Sequence, residues 1–275
     1  MFLSPKEAVE AYRAATIAKS KTPAAKFFGK SILAGMMIGM GAAAGNVAAH
    51  DVANVGMSRV AAAVVFPVGL MMVIFMGAEL FTGDCLMAMG LPEKDISIGQ
   101  FIKALILVYL GNLVGGVALT ALVATSGQLD YSAGKLGAYT IKVALGKAMI
   151  SPEKALASGI LCNILVSAAV LMAMCAKDAA GKILVSFFVI MLFVTSGYEH
   201  CVANMYYITA GLFAKTNPAY TAAAKEVYGI GADQLASLNI VNMAVKNLLP
   251  VTIGNIIGGS FCVALPMYYL NRDKK

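Results

Sequence analysis

Two apolar runs in this chain are too long and too interrupted to be single helices, and each echoes the other. Residues 60–90 and 183–213 cover 31 positions apiece, about 47 Å as a continuous helix at 1.5 Å per residue. A hydrocarbon core about 30 Å thick needs only about 20 residues. Each run carries a charged phrase: Gly77-Ala78-Glu79-Leu80-Phe81-Thr82 in the first, Gly197-Tyr198-Glu199-His200-Cys201-Val202 in the second. A carboxylate beside a glycine, inside membrane-length apolar sequence, predicts a helix that stops, turns and restarts. The backbone groups freed there would line a polar cavity.

A second pair of phrases follows: Gly111-Asn112-Leu113-Val114-Gly115-Gly116 and Gly254-Asn255-Ile256-Ile257-Gly258-Gly259. Six apolar segments are expected in all, at 31–49, 60–90, 101–125, 155–176, 183–213 and 247–270. The first and fourth align loosely, with Gly35 opposite Gly159 and Gly39 opposite Asn163. Spans 1–3 (residues 31–125) then repeat as spans 4–6 (155–270). Three is odd, so the second copy enters the membrane upside down. The fold class expected is an all-α membrane protein of six helices, built as an inverted 3+3 repeat with helices 2 and 5 broken. Internal repeats with broken helices that meet near the midplane are a recurrent plan for moving solutes.

Composition agrees. Hydrophobic residues make up 60% of the 275 and charged residues 13%, about half the share usual in soluble chains. The net charge of +7 does not point to nucleic acid, because the cations gather at segment ends, as membrane flanks do. Of the 21 Lys and Arg, thirteen fall on the side shared by the termini and eight on the other. Both termini are therefore expected in the cytoplasm of an inner or plasma membrane of bacterial type. Residues 1–30 read as an amphipathic segment on that surface, and residues 271–275 as a short cytoplasmic tail. The five cysteines, Cys85, Cys162, Cys175, Cys201 and Cys262, lie in apolar stretches without metal-binding spacing and read as buried free thiols. No cofactor, metal or catalytic residue is expected, and the chain is not read as an enzyme.

Of the two histidines, His50 beside Asp51 reads as a surface group. His200, next to Glu199 at the expected break, reads as a pathway or proton-relay residue, since ionisable groups inside a membrane are costly. Glu79 and Glu199 hold equivalent positions and would accept backbone N–H groups where each half-helix restarts. Asp84 would cap the first restart. Asn112 and Asn255 would face the two breaks. Asn217-Pro218-Ala219 matches the aquaporin signature only once, in a polar loop. No phosphate-binding GxxxxGK[ST] loop is present.

Residues 77–83, 111–115, 159–163 (Gly-Ile-Leu-Cys-Asn), 196–205 (Ser-Gly-Tyr-Glu-His-Cys-Val-Ala-Asn-Met) and 249–259 together resemble the formate/nitrite transporter family over nearly the whole chain. The resemblance implies an aquaporin-like protomer in a homopentamer, one pore per protomer, embedded in a lipid bilayer. The implied partners are protons and small monovalent anions: formate, nitrite or hydrosulfide. It implies His200 as the central pore histidine and Thr82 as its partner. Lys147 would attract anions at the vestibule, with Asn163, Glu199 and Asn255 as the polar shell. Phe66, Leu70, Leu80 and Phe193 would be the apolar constrictions. The expected function is passage of these anions with protonation of the weak acid at His200; the alternative is a channel for water or small neutral solutes.

Overall fold

The structure, a computed structural model, describes residues 2–272. Met1 and the last three positions of the expected tail, Asp273, Lys274 and Lys275, lie outside the described residues. Among the described residues twelve α-helices lead up to a long thirteenth, and no strand forms beyond one isolated bridge from Phe2 to Ala176. Among the described residues six helical segments are long and apolar enough to cross a membrane, residues 55–76 counting as one.

Helix α1 (Pro5–Ser20) starts on a reciprocal cap, Ser4 with Glu7, and has Pro5 in its first turn. It buries Ala8, Val9, Tyr12 and Thr16, docked on the rest of the fold instead of lying apart on a membrane surface. Arg13 locks it in place through a two-toothed pair with Asp95, at 2.7 and 3.0 Å. Helix α2 (Ala24–Ala49) begins inside the segment assigned to 1–30, so that boundary falls within a span. Lys26 and Lys30 therefore sit in its first turns, Lys26 exposed and Lys30 within 3.5 Å of Glu79.

The second apolar run divides into α3 (Val55–Val65), α4 (Val68–Met76) and α5 (Phe81–Asp84), which tightens into a 3₁₀ stretch, Cys85–Gly90. Pro67, without an N–H, separates α3 from α4. Gly77 then ends α4 in the left-handed region at φ 62°. In the fifth segment α9 (Ala179–Ser196) ends the same way at Gly197, φ 72°, and α10 (Cys201–Ala214) restarts. A left-handed residue costs an L-amino acid about 1–2 kcal/mol, which is why glycine ends both pieces. The pieces before each break, 55–76 and 179–196, are already of spanning length.

Between the two broken runs lie α6 (Ile98–Thr125), α7 (Lys135–Ala148) and α8 (Pro152–Cys175), and after α10 come α11 (Pro218–Tyr228) and α12 (Ala232–Ser237). The stretches 126–154 and 214–246, which fall between the expected apolar segments, are therefore largely helical. The last span, α13 (Ile240–Asn271), contains two π-helical stretches, Met243–Leu248 and Ile257–Ala264. Each is followed by a proline, Pro250 and Pro266; the carbonyl four residues before a proline has no donor at the usual spacing, and a wider turn accommodates this.

Packing reveals the repeat register. Helix α2 lies on α6, and α8 lies on α13. A side chain at Gly111 would meet Phe28 and Ile32; one at Gly254 would meet Leu156 and Ile160. Ser31, not Gly35, is therefore the counterpart of Gly159, one helical turn from the alignment read off the sequence. On this register α7 is the counterpart of α1, so each repeat carries a short helix ahead of its first span. The outer faces are apolar: Ile102, Ile106, Leu110 and Val114 run along α6, and Leu184, Phe188 and Leu192 along α9, all exposed. Stripes of this kind suit lipid or a neighbouring subunit. Cys85, Cys162 and Cys201 are buried free thiols as expected, whereas Cys175 is half-buried and Cys262 exposed.

Candidate functional site

The two breaks meet in the middle of the fold, and each is held by one asparagine. Asn112 Oδ1 accepts from Phe81 N–H at 2.9 Å, while its Nδ2 donates to Ser31 O at 2.7 Å and Glu79 O at 3.0 Å. Asn255 repeats the pattern: Oδ1 accepts from Cys201 N–H at 3.0 Å, and Nδ2 donates to Gly159 O at 2.8 Å and Glu199 O at 3.1 Å. Each amide satisfies a free helix N–H and two carbonyls at once, which a carboxylate cannot do. Both asparagines are fully buried.

The glutamates take other work. Glu79 is paired with Lys19 of α1, and Lys30 stands 3.5 Å away. Glu199 is paired with Lys147 of α7 at 2.9 Å and also accepts from Asn204 at 2.6 Å and Asn247 at 3.2 Å. The expectation that Glu79 and Glu199 would take backbone N–H groups at the restarts is thus corrected; the asparagines outcompete them there. Lys19 and Lys147 occupy equivalent places before the first span of each repeat. Asp84 does not cap α5. It sits at the helix's end and binds Lys19, with its Oδ2 unpartnered among the described residues. Burial pushes the Lys19 ammonium down, but Asp84 and Glu79 outweigh it and hold it well above the usual lysine range.

His200 is the first residue before α10, and its Nδ1 accepts from Ala203 N–H at 3.0 Å. A nitrogen that accepts carries no proton, so in this state the neutral ring has its hydrogen on Nε2. That atom faces Thr82 Oγ1 at 2.9 Å. Thr82 has no other hydrogen-bond partner among the described residues, so its own hydroxyl hydrogen is uncommitted. The pair joins the two repeats across the breaks, and both residues are buried.

Above this pair Phe66 and Phe193 meet edge to face at 5.9 Å, and the Phe193 ring lies 6.0 Å from His200. All three line a cavity of about 680 Å³ that also takes in Lys147, Glu199 and Asn204. Leu70 and Leu80 are buried in the surrounding apolar core, and neither they nor Thr82 line that cavity. Asn163 lies behind the site, donating to Asn255 O at 2.6 Å and accepting from Ser167 at 3.3 Å; it braces α13. His50 bonds Val47 O and Ser132 Oγ, at 2.7 and 2.8 Å, a structural tie at the end of α2.

Sequence reasoning missed Lys19, Asn204, Asn247 and Ser158, whose hydroxyl accepts from Glu199 N–H at 3.0 Å. Asn204 lay within the quoted 196–205 run but carried no assigned role. Lys19 had a signal: it stands as far before Ser31 as Lys147 stands before Gly159, visible once the register is shifted by a turn.

The family model described as formate/nitrite transporter matches residues 6–269. The chain is 37% identical over 219 residues to the formate channel FocA of Haemophilus influenzae, covering 79% of this chain and 76% of that one. It is 33% identical over 286 residues to a probable formate transporter of Methanothermobacter thermautotrophicus, covering 98% and 97%. Among solved structures, one described as a pentameric formate channel with formate bound superposes with a TM-score of 0.81 at 32% identity, covering 90% of this chain and 97% of that one. An ion channel of the same family superposes at 0.82 with 26% identity, over 96% and 98%.

Proposed function

The chain belongs to the formate/nitrite transporter family, and from that membership we propose that it is a channel for small monovalent anions, formate first among them, in which the weak acid is protonated at the centre. The observation that carries this reading is the His200–Thr82 pair at 2.9 Å, set directly behind the Phe66–Phe193 contact. A bare anion entering that apolar stretch would lose its hydration for no compensating charge. A neutral acid loses far less. The cations lining the vestibule, Lys147 among them, outnumber its acids, and that excess would raise the anion's concentration there.

The hydrogen-bond pattern suggests how a proton could be handed on. A proton arriving from the vestibule charges the ring at the cost of the Ala203 bond, which keeps the charged form brief. The anion then takes the Thr82 hydroxyl hydrogen and Thr82 takes the Nε2 hydrogen, which leaves a neutral ring with its hydrogen on Nδ1. Before the next passage that hydrogen is given up and one is regained at Nε2, which restores the bond from Ala203 N–H. Leu70 and Leu80 would form the second apolar passage beyond the pair, with Glu79, Asp84 and Lys19 on that side. Asn163 and Asn255 would act by holding the breaks still, not by touching the solute. We further propose a homopentamer, as in the solved relative described as pentameric, with both termini in the cytoplasm.

The test is uptake into proteoliposomes of the purified protein, comparing formate, nitrite and hydrosulfide with empty vesicles. Formate uptake well above the empty vesicles is the expected result. Water or glycerol passage without any of these anions would replace the proposal with a neutral-solute channel.

A further inference from the structure

The wall of the vestibule holds a guanidinium that no acid neutralises. Arg59 stands one turn into α3 and lines the 680 Å³ cavity together with Lys142, Lys147 and His200. Lys147 spends its charge on Glu199 at 2.9 Å, and the nearby Asp51 stands 3.5 Å from Lys135. Arg59 makes no ion pair or hydrogen bond among the described residues. Lys142 has only the rings of Tyr228, at 4.4 Å, and Tyr139, at 5.8 Å, which leave its charge in place.

The guanidinium is also placed with respect to the pore. It lies on the left-handed corner at Gly197, where a Cβ would come within 3.1 Å of Arg59 Cζ and overlap its Nη1. The repeat-equivalent corner at Gly77 has nothing within 4 Å. Only the Gly197 corner is covered, and the next residues of that corner are Tyr198, Glu199 and His200. An anion approaching His200 therefore passes an unpaired, planar fork of N–H donors.

We infer that Arg59 is the anion-docking residue of the outer vestibule, and that its fork favours anions with two coplanar oxygens, a carboxylate or nitrite, over a one-centre anion such as hydrosulfide. The chemistry is that of the group: a guanidinium offers parallel donors that match two oxygens, whereas an ammonium is a point charge with no such preference. This inference rests on the anion-channel proposal and specifies the substrate class that its vestibule receives.

The test measures the concentration dependence of formate and hydrosulfide uptake for wild type, Arg59→Lys and Lys142→Met in proteoliposomes. Arg59→Lys keeps the charge at an exposed position, so the fold is not at stake. It is expected to raise the half-saturating formate concentration about tenfold, the size of one lost charge-assisted contact, with hydrosulfide changed by less than about twofold. Lys142→Met, which removes charge but no fork, should weaken both anions alike. A formate value for Arg59→Lys within twofold of wild type, or an equal shift for both anions, would overturn the inference while leaving the channel intact. A wild-type protein that passes neither anion would overturn both proposals together.

Discussion

Asn255→Asp is expected to lower the thermal midpoint in detergent by roughly 6–12 °C and to abolish flux. The substitution keeps the oxygen that accepts from Cys201 N–H but puts a second oxygen where Nδ2 now donates to Gly159 O and Glu199 O. Two buried carbonyls lose their donor and face an acceptor instead, each at about 1–3 kcal/mol. A loss of about 3 kcal/mol in a chain of this size corresponds to roughly that change in midpoint. Asn112→Asp should do the same, because Ser31 O and Glu79 O stand in the same relation to it. If either variant melts within 2 °C of wild type, the amides are not what holds the breaks.

The second large effect falls on pH dependence. His200→Asn keeps a side-chain acceptor for the start of α10 and a polar partner for Thr82, but removes the group that can carry a proton. Formate uptake near pH 7 should fall by about a hundredfold, the low end of what a positioned proton donor contributes. Near pH 5, closer to the ordinary carboxyl range, more of the formate is already neutral in solution and the gap should narrow. Parallel pH profiles for wild type and variant would remove His200 from the proton path without touching the channel reading.

Much of this arrangement is written in the sequence, and the parts that are not have identifiable causes. The breaks show because glycine beside glutamate in an apolar run has few other uses, and the two copies of that phrase place both breaks. The Gly-Asn phrases likewise point to the asparagines. What those asparagines do is less visible, since every polar residue near a helix start is a candidate cap; glutamate lost because the sites need a donor as well as an acceptor. The repeat register slipped by one turn because small residues recur through α2 and α8, and the true partners of Asn112 and Asn255 are backbone carbonyls, which no side chain records.

Long-range pairs were the least legible. Lys19 lies sixty residues before Glu79 in the chain, within a segment whose lysines and alanines read as a surface helix. Its buried contact depends on α1 folding back onto Cys85–Gly90. Arg59 gave no signal at all, because an arginine at the start of an apolar helix is an ordinary membrane flank. Its position over Gly197 follows only from the packing of α3 against α9. Lys147, Phe66 and Phe193 were singled out through family resemblance, not spacing, and the structure brings them onto one cavity with His200.

The central claim is that the anion crosses the middle of the pore together with a proton, and an imposed membrane potential tests it most directly. Formate uptake would be followed in proteoliposomes carrying a potassium diffusion potential of either sign, with and without a pH gradient. The account predicts uptake that rises as the external pH falls and is indifferent to the potential. Uptake that accelerates when the interior is positive and ignores the pH gradient would show that formate passes as a bare anion, and the account would be wrong at its centre.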